Sequence, residues 1–523
     1  MAELEDLDPD ELDELLGLKP KFDIPPAARR SMERVGLLDR SEGGLPEAAL
    51  ARQPASLVRA ALEGTRGPLV SRWGHILLRR ALASRLQAPD GMSPIEFAGL
   101  RAQVLARMGE YEAARGISQD VDTGNWNATL ADAAVTSYVA TGDLIGACPL
   151  ARFRADLREG TQWEMIRSIC NAFAGETARA RSNLIRMRRG DDTANIDVLL
   201  AQRYAGAAGR GRSAVNLEWD GVEELTPWRY GLATALGAEI PESLTDDLEP
   251  YYQRVSARLP MLPLSQRLPG AERAAREGIL SSSALIDLYS RYYAESGLEG
   301  DFGQRAGQLR DGYVGAEPAI RLQAIRSVWG TGDNPDYARK VLTAYAAARI
   351  PANKDFAEDA AGLIAAMLSA GLDRDALEWG TVVPEGSEAW ALLVLAQPNR
   401  GSPVDDGALD SFVGDDGSDE QRKSAFLVAG LAGLDRIDAS TRDDYNQSLR
   451  LDLGRQSNWS RLISQAGDAQ NQALVALLAG VGMQGEGWQR MTPRHLFHIV
   501  RALDRAGLSA EARMIAAEAV ARA

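Results

Sequence analysis

Glycine returns at a fixed interval in the first third of the chain: Gly109, Gly142 and Gly175 stand 33 residues apart. Alanine follows each of them five positions later, at Ala114, Ala147 and Ala180, within GEYEAAR, GDLIGAC and GETARAR. The same offset recurs from Gly371 to Ala376 and from Gly507 to Ala512. Both residues have a physical reason to be there. Glycine takes the left-handed conformation that ends a helix and opens a turn, and alanine early in the next helix lets two helices approach closely. A period of 33 residues is the length of one helix–turn–helix unit. Further breakers, Gly91, Gly124 and Gly190 among them, punctuate the chain often enough to keep each helix short.

The segments between the breakers carry helical periodicity. Val70, Trp73, Leu77 and Ala81 fall on one face at spacings of three and four. Ser93-Pro94-Ile95-Glu96 reads as a capping box, with Ser93 accepting from the amide three residues on and Glu96 reaching back. Phe97, Leu100, Val104 and Met108 then form the apolar stripe of that helix. No segment alternates apolar and polar residues between hairpin turns, so strands are not expected. The expected fold is all-α: an α-solenoid of stacked antiparallel helix pairs, a form that lets 523 residues grow past the size of one compact core.

LARMGEYEAAR (Leu105 to Arg115), MLSAGLDRDAL and ALDRAGLSAEAR resemble the helix end, turn and helix start of the tetratricopeptide repeat family. The chain is also similar to helical-repeat proteins of alphaproteobacteria. The tetratricopeptide resemblance is degenerate. Only Tyr111 supplies the aromatic two residues after the glycine, no regular closing proline appears, and position 211 is Gly where a fourth repeat would place alanine. It implies partner binding on a concave face.

The expected organisation is an acidic N-terminal tail with a proline-rich linker (1–45), a first helical array (46–240), a proline-rich connector (241–270), a middle array (271–400), an acidic loop (401–421) and a C-terminal array with its cap (422–523). In the tail, eight acidic residues between Glu3 and Glu14 surround Leu4, Leu7, Leu12, Leu15 and Leu16, and Asp8-Pro9 can start a short amphipathic helix. Five prolines between Pro241 and Pro269 are expected to forbid long helices there.

The net charge is −15, the wrong sign for a chain that must displace counterions from nucleic acid. No apolar run is long enough to span a membrane. Met1 to Leu18 has neither a basic nor an apolar region of a secretory signal, so a cytoplasmic location is expected. The two cysteines leave an alternative open. Cys148 and Cys170 are either two small core residues or a disulfide clipping one helix hairpin, and a disulfide would favour the periplasm. Lysine occurs only at Lys19, Lys21, Lys340, Lys354 and Lys423 against abundant arginine, a bias with no mechanistic weight at this level.

Catalytic patterns are scarce. Three histidines, of which His495 and His498 sit three apart, cannot supply many triads or metal sites. Glu295-Ser296 matches a pair found in lytic transglycosylases without that family's companion stretch, and reads as a helix end. Gly206 to Ser213 is glycine-rich but lacks the phosphate-binding lysine, and 415–420 (DDGSDE) lacks calcium-loop spacing. No cofactor is expected. The candidate partner-binding residues are Arg179, Arg181, Arg186, Arg188 and Arg189, joined by Arg210 and Arg212: a basic patch on an acidic chain, suited to an acidic motif of a partner or to the chain's own residues 3–14 docking as an intramolecular lid. Trp219, Val222 and Leu225, with Trp228 and Tyr230, read as helical core. The expected function is a non-catalytic scaffold for a protein or peptide; the alternative is an assembly or peptidoglycan-related accessory protein of the cell envelope.

Overall fold

The computed structural model describes residues 32–189, 195–208, 215–330 and 336–523. The residues expected to form the acidic peptide (3–16), and Arg210 and Arg212, lie outside them. Twenty-six α-helices and no strand occur among the described residues, with three isolated bridges as the only β-type pairing.

The glycine–alanine signature marks real turns. Gly109, Gly142, Gly175, Gly371 and Gly507 all have positive φ, between 68° and 93°. At each, the next residue's amide reaches back five positions: Glu110 to Leu105, Asp143 to Tyr138, Glu176 to Asn171, Leu372 to Met367 and Leu508 to Leu503. That bond, with one from the glycine itself, is the Schellman closure of a helix. The alanines five positions on are all buried.

Helices next to one another in sequence pack together through much of the chain. Pro94–Arg107 meets Tyr111–Gln119 and Ala128–Ala140, and Thr161–Phe173 meets Thr177–Arg188 and Asn195–Gly206. From Leu264–Glu277 through Ser282–Ser296, Gly300–Val314, Pro318–Trp329 and Tyr337–Ala347 to Ala360–Ser369, each helix packs on its successor. The row does not stay open, however. Helix Arg72–Ala83 packs against Leu264–Glu277, Gln472–Gly482 and Ser509–Ala521 as well as its neighbour Pro94–Arg107, so the C-terminal helices close over the N-terminal ones. We call Arg72–Ala83 the hub helix.

A carboxylate holds the closure. Glu518, buried in the last helix, accepts from the backbone amides of Arg72 (2.8 Å) and Trp73 (3.1 Å) and from the Ser71 hydroxyl (2.7 Å). It thereby satisfies the orphan donors and the positive pole at the start of the hub helix. The Arg72 guanidinium, itself buried, donates to the carbonyls of Ala275, Leu280 (3.0 Å) and Ser369 (3.1 Å), and so ties together two segments far apart in sequence. Burial pushes its pKa down to about 10, with Tyr337 and Glu518 opposing the shift. Other buried arginines act alike. Arg101 donates to Leu82, Ser84 and Val35 carbonyls and lies over the Phe97 ring, and Arg436 donates to Val394, Leu395 and Gln397.

Several expectations need correction. Residues 32–45 are not linker: Val35 and Leu45 are buried, and Arg101 ties the Val35 carbonyl to the core. The acidic loop contains a helix, Asp406–Gly414, because Asp405 caps the Ala408 amide and Ala408, Leu409 and Phe412 bury one face. Within the proline-rich connector, Leu264–Glu277 runs as a 14-residue helix with Pro269 inside it. Residues 215–226 form no helix, since Gly221 takes φ +74° and the next helix, Pro227–Ala235, starts only after the Thr226 cap. Trp228 and Tyr230 are core as expected, and Trp219 packs on it half-buried. Ser93 caps its helix, but the Glu96 carboxylate pairs with Arg59 instead of closing the box.

Candidate functional site

Gly175 turns the chain into helix Thr177–Arg188, which buries only Ala180 and Leu184. Its Ala180 and Leu184 stripe faces Thr161–Phe173 and Asn195–Gly206. Helical spacing then sets Thr177, Arg181, Leu184 and Arg188 along one line, at steps of four, three and four. These residues, with Arg189, form one wall of a cleft of about 1070 Å³. Leu199, Gln202, Ala205 and Gly206 form the facing wall, and Val215, Asn216 and Glu218 of the following extended segment close one side.

The structure divides the sequence-expected arginines. Arg181, Arg188 and Arg189 line the cleft. Arg179 turns to Glu176 (3.1 Å), the N-cap residue of the helix, and Arg186 to Asn183 (2.8 Å) on the helix itself, and neither arginine lines the cleft. Arg188 donates to Asn195 Oδ1 (2.9 Å) and stands 3.7 Å from Glu218, whose carboxylate also accepts from Asn195 (3.0 Å). Arg181 and Arg189 are exposed and make no ion pair among the described residues. Among the described residues, the cleft therefore offers two guanidinium groups without an ion-pair partner, beside an apolar floor of alanine, leucine and isoleucine.

Sequence reasoning missed the opposite wall and the acidic shelf beside it. Glu218, Asp220, Glu223 and Glu224 border a smaller hollow of about 340 Å³ that shares Glu218 with the basic cleft. Its Arg229 is already bound to Asp197 (2.8 Å). Only the density of acids in Glu218 to Glu224 could have signalled it.

Cys148 and Cys170 form a disulfide with Cα atoms 5.2 Å apart. It joins helix Cys148–Phe153 to Thr161–Phe173, whose Ala172 lies at the edge of the cleft. The reading as two separate core thiols is thereby replaced. Phe153 and Phe173 stand exposed at the ends of those two helices, the second beside Tyr204 at 6.0 Å between ring centroids.

The remaining candidates lie elsewhere. Glu295 is exposed at the last turn of Ser282–Ser296, ahead of Gly297 at φ +61°. The His495 ring lies by the Trp459 indole at 4.9 Å and bonds Thr492, while buried His498 meets the same indole edge-on. Burial lowers the pKa of both histidines, and neighbouring Arg494 adds to the effect. In the DDGSDE segment Asp416 accepts from the amides and hydroxyls of Ser418 and Ser424, so it closes a turn. Burial alone would raise its carboxyl pKa; those four bonds outweigh it and hold the group below the usual range. Among the described residues no three His, Cys, Asp or Glu side chains come together as a metal-ligand set, and no helix is long and apolar enough to cross a membrane.

No known protein family, curated protein or solved structure matches the chain in comparisons of sequence and fold.

Proposed function

We propose that this chain is a non-catalytic helical scaffold that holds an acidic, leucine-bearing segment of a protein in the Arg181–Arg188–Arg189 cleft. One observation carries the reading: exposed Arg181 and Arg189 have no ion-pair partner among the described residues and stand over an apolar floor. Leucines of the bound segment would fill the floor, and its carboxylates would take bidentate bonds from guanidinium. The acidic shelf at Glu218 to Glu224 would repel the acidic end of a ligand and so favour one direction of binding. The tetratricopeptide-like reading is supported by five identical glycine turns, each followed by a buried alanine.

The test is binding of a fluorescent peptide carrying three leucines at helical spacing flanked by acids. Arg181→Glu combined with Arg189→Glu should weaken binding by about a hundredfold, since each lost charge-assisted contact is worth about 1.5 kcal/mol. Affinity should also fall as salt rises. An unchanged affinity in the double variant would remove the cleft from consideration.

The disulfide supports a second reading for the setting of this activity, an oxidising cell-envelope compartment. Thiol titration of the protein taken from its native cells checks it: two reactive thiols in the denatured, unreduced chain would argue against that location.

A further inference from the structure

We infer that the cleft has a resident occupant, the chain's own residues 8–16, which an external partner must displace. The inference rests on the cleft reading above and adds its regulation. Four independent features fit.

The first is charge. Residues 3–14 hold eight acids and no base, on the same chain as a cleft whose Arg181 and Arg189 have no ion-pair partner among the described residues. The second is pattern. From an Asp8 cap and Pro9 at the first helical position, ideal geometry sets Leu12, Leu15 and Leu16 on one face with Glu11 and Asp13 at its two edges. Apolar centre and acidic edges complement an apolar floor with a basic rim.

The third is length. As an ideal helix, nine residues from Asp8 to Leu16 would span about 14 Å, and the wall Thr177–Arg188 is about 18 Å long at 1.5 Å per residue. The fourth is reach. The segment Met32–Arg34 rests on helix Pro94–Arg107, which packs on Ala128–Ala140, which packs on Pro227–Ala235, which packs on the cleft wall Asn195–Gly206. Three helix-to-helix steps of 8–10 Å span about 30 Å. Residues 17–31 can cover up to about 50 Å when extended. A tether of that kind keeps the segment near the cleft at a local concentration in the millimolar range, about 1 mM.

The experiment compares two full-length chains, the natural one and one carrying Leu12→Ser, Leu15→Ser and Leu16→Ser. Each is titrated into a fluorescein-labelled peptide of residues 1–18, and separately into an unrelated peptide of equal charge with three leucines at the same spacing. The expected result is that the triple variant binds both peptides about tenfold or more tighter than the natural chain, because its own tail no longer competes. Adding Arg181→Glu and Arg189→Glu should erase both the binding and the difference. Equal binding by the two chains overturns the resident occupant and leaves the cleft reading intact, as does binding of the unrelated peptide alone. Failure of both peptides to bind either chain overturns both.

Discussion

At the scale of single residues, arginine does structural work that lysine cannot. Arg101 reaches three carbonyls with two of its nitrogens, and Arg436 does the same at the end of helix Glu388–Ala396. A planar fork with five donors can serve several carbonyls at once; an ammonium is a compact point. Burial pushes Arg101 down to about 9, with Asp120 opposing. Arg101→Lys is expected to cost about 2 kcal/mol by leaving carbonyls unpaired, read as a lower urea midpoint with unchanged slope. The scarcity of lysine was plain in the sequence, but its meaning was not. Which arginines turn inward depends on where distant helix ends arrive, and composition carries no trace of that.

At the scale of elements, the turns were the most legible part. A glycine in the left-handed region leaves its mark in one residue, so five turns could be read directly. The same closure at Asp435 and Gln470 uses non-glycine residues with φ of 55° and 52°, and no sequence signal announced it. The cleft was half legible for a related reason: the arginines of one helix are local in sequence, whereas the facing wall is chosen by packing. One turn also carries a pH dependence. Glu110, just after Gly109, is buried and accepts from His75 (2.9 Å) and Arg79 (2.8 Å) of the hub helix, with Arg258 at 3.8 Å. Burial raises its carboxyl pKa, but the His75 bond and the two arginines outweigh that and hold it below the ordinary value. A depressed carboxyl contributes stability that is complete above its unfolded value, about 4.3, and lost as pH falls through the folded value. Acid unfolding of Glu110→Gln should therefore show a shallower loss of stability below about pH 4.3 than the natural chain; superimposable slopes would exclude Glu110 as a source of acid sensitivity.

At the scale of the whole molecule, the all-helical class was readable from periodicity, while closure was not. Nothing in residues 72 or 518 alone says that they meet. Glu518→Ala removes the acceptor for two amides and a hydroxyl at the start of the hub helix, along with its pairing with Arg522. The expected loss is about 3–5 kcal/mol, the range for breaking a buried pair. Hydrogen exchange should rise together in Ala55–Ala83 and Gln472–Ala521, since the two regions form one contact; faster exchange in only the second would show that they open independently.

The bond between Arg72 and Glu518 joins residues 446 positions apart, and it sets a timetable for biosynthesis. At about 5–20 residues per second, roughly 20–90 s separate the emergence of its two ends. Throughout that interval the hub helix is outside the ribosome with several of its greasy neighbours not yet made. Until Glu518 appears, the start of the hub helix lacks its acceptor, and a message cut short before the codons of Ser509–Ala521 would yield a product that never finishes maturing.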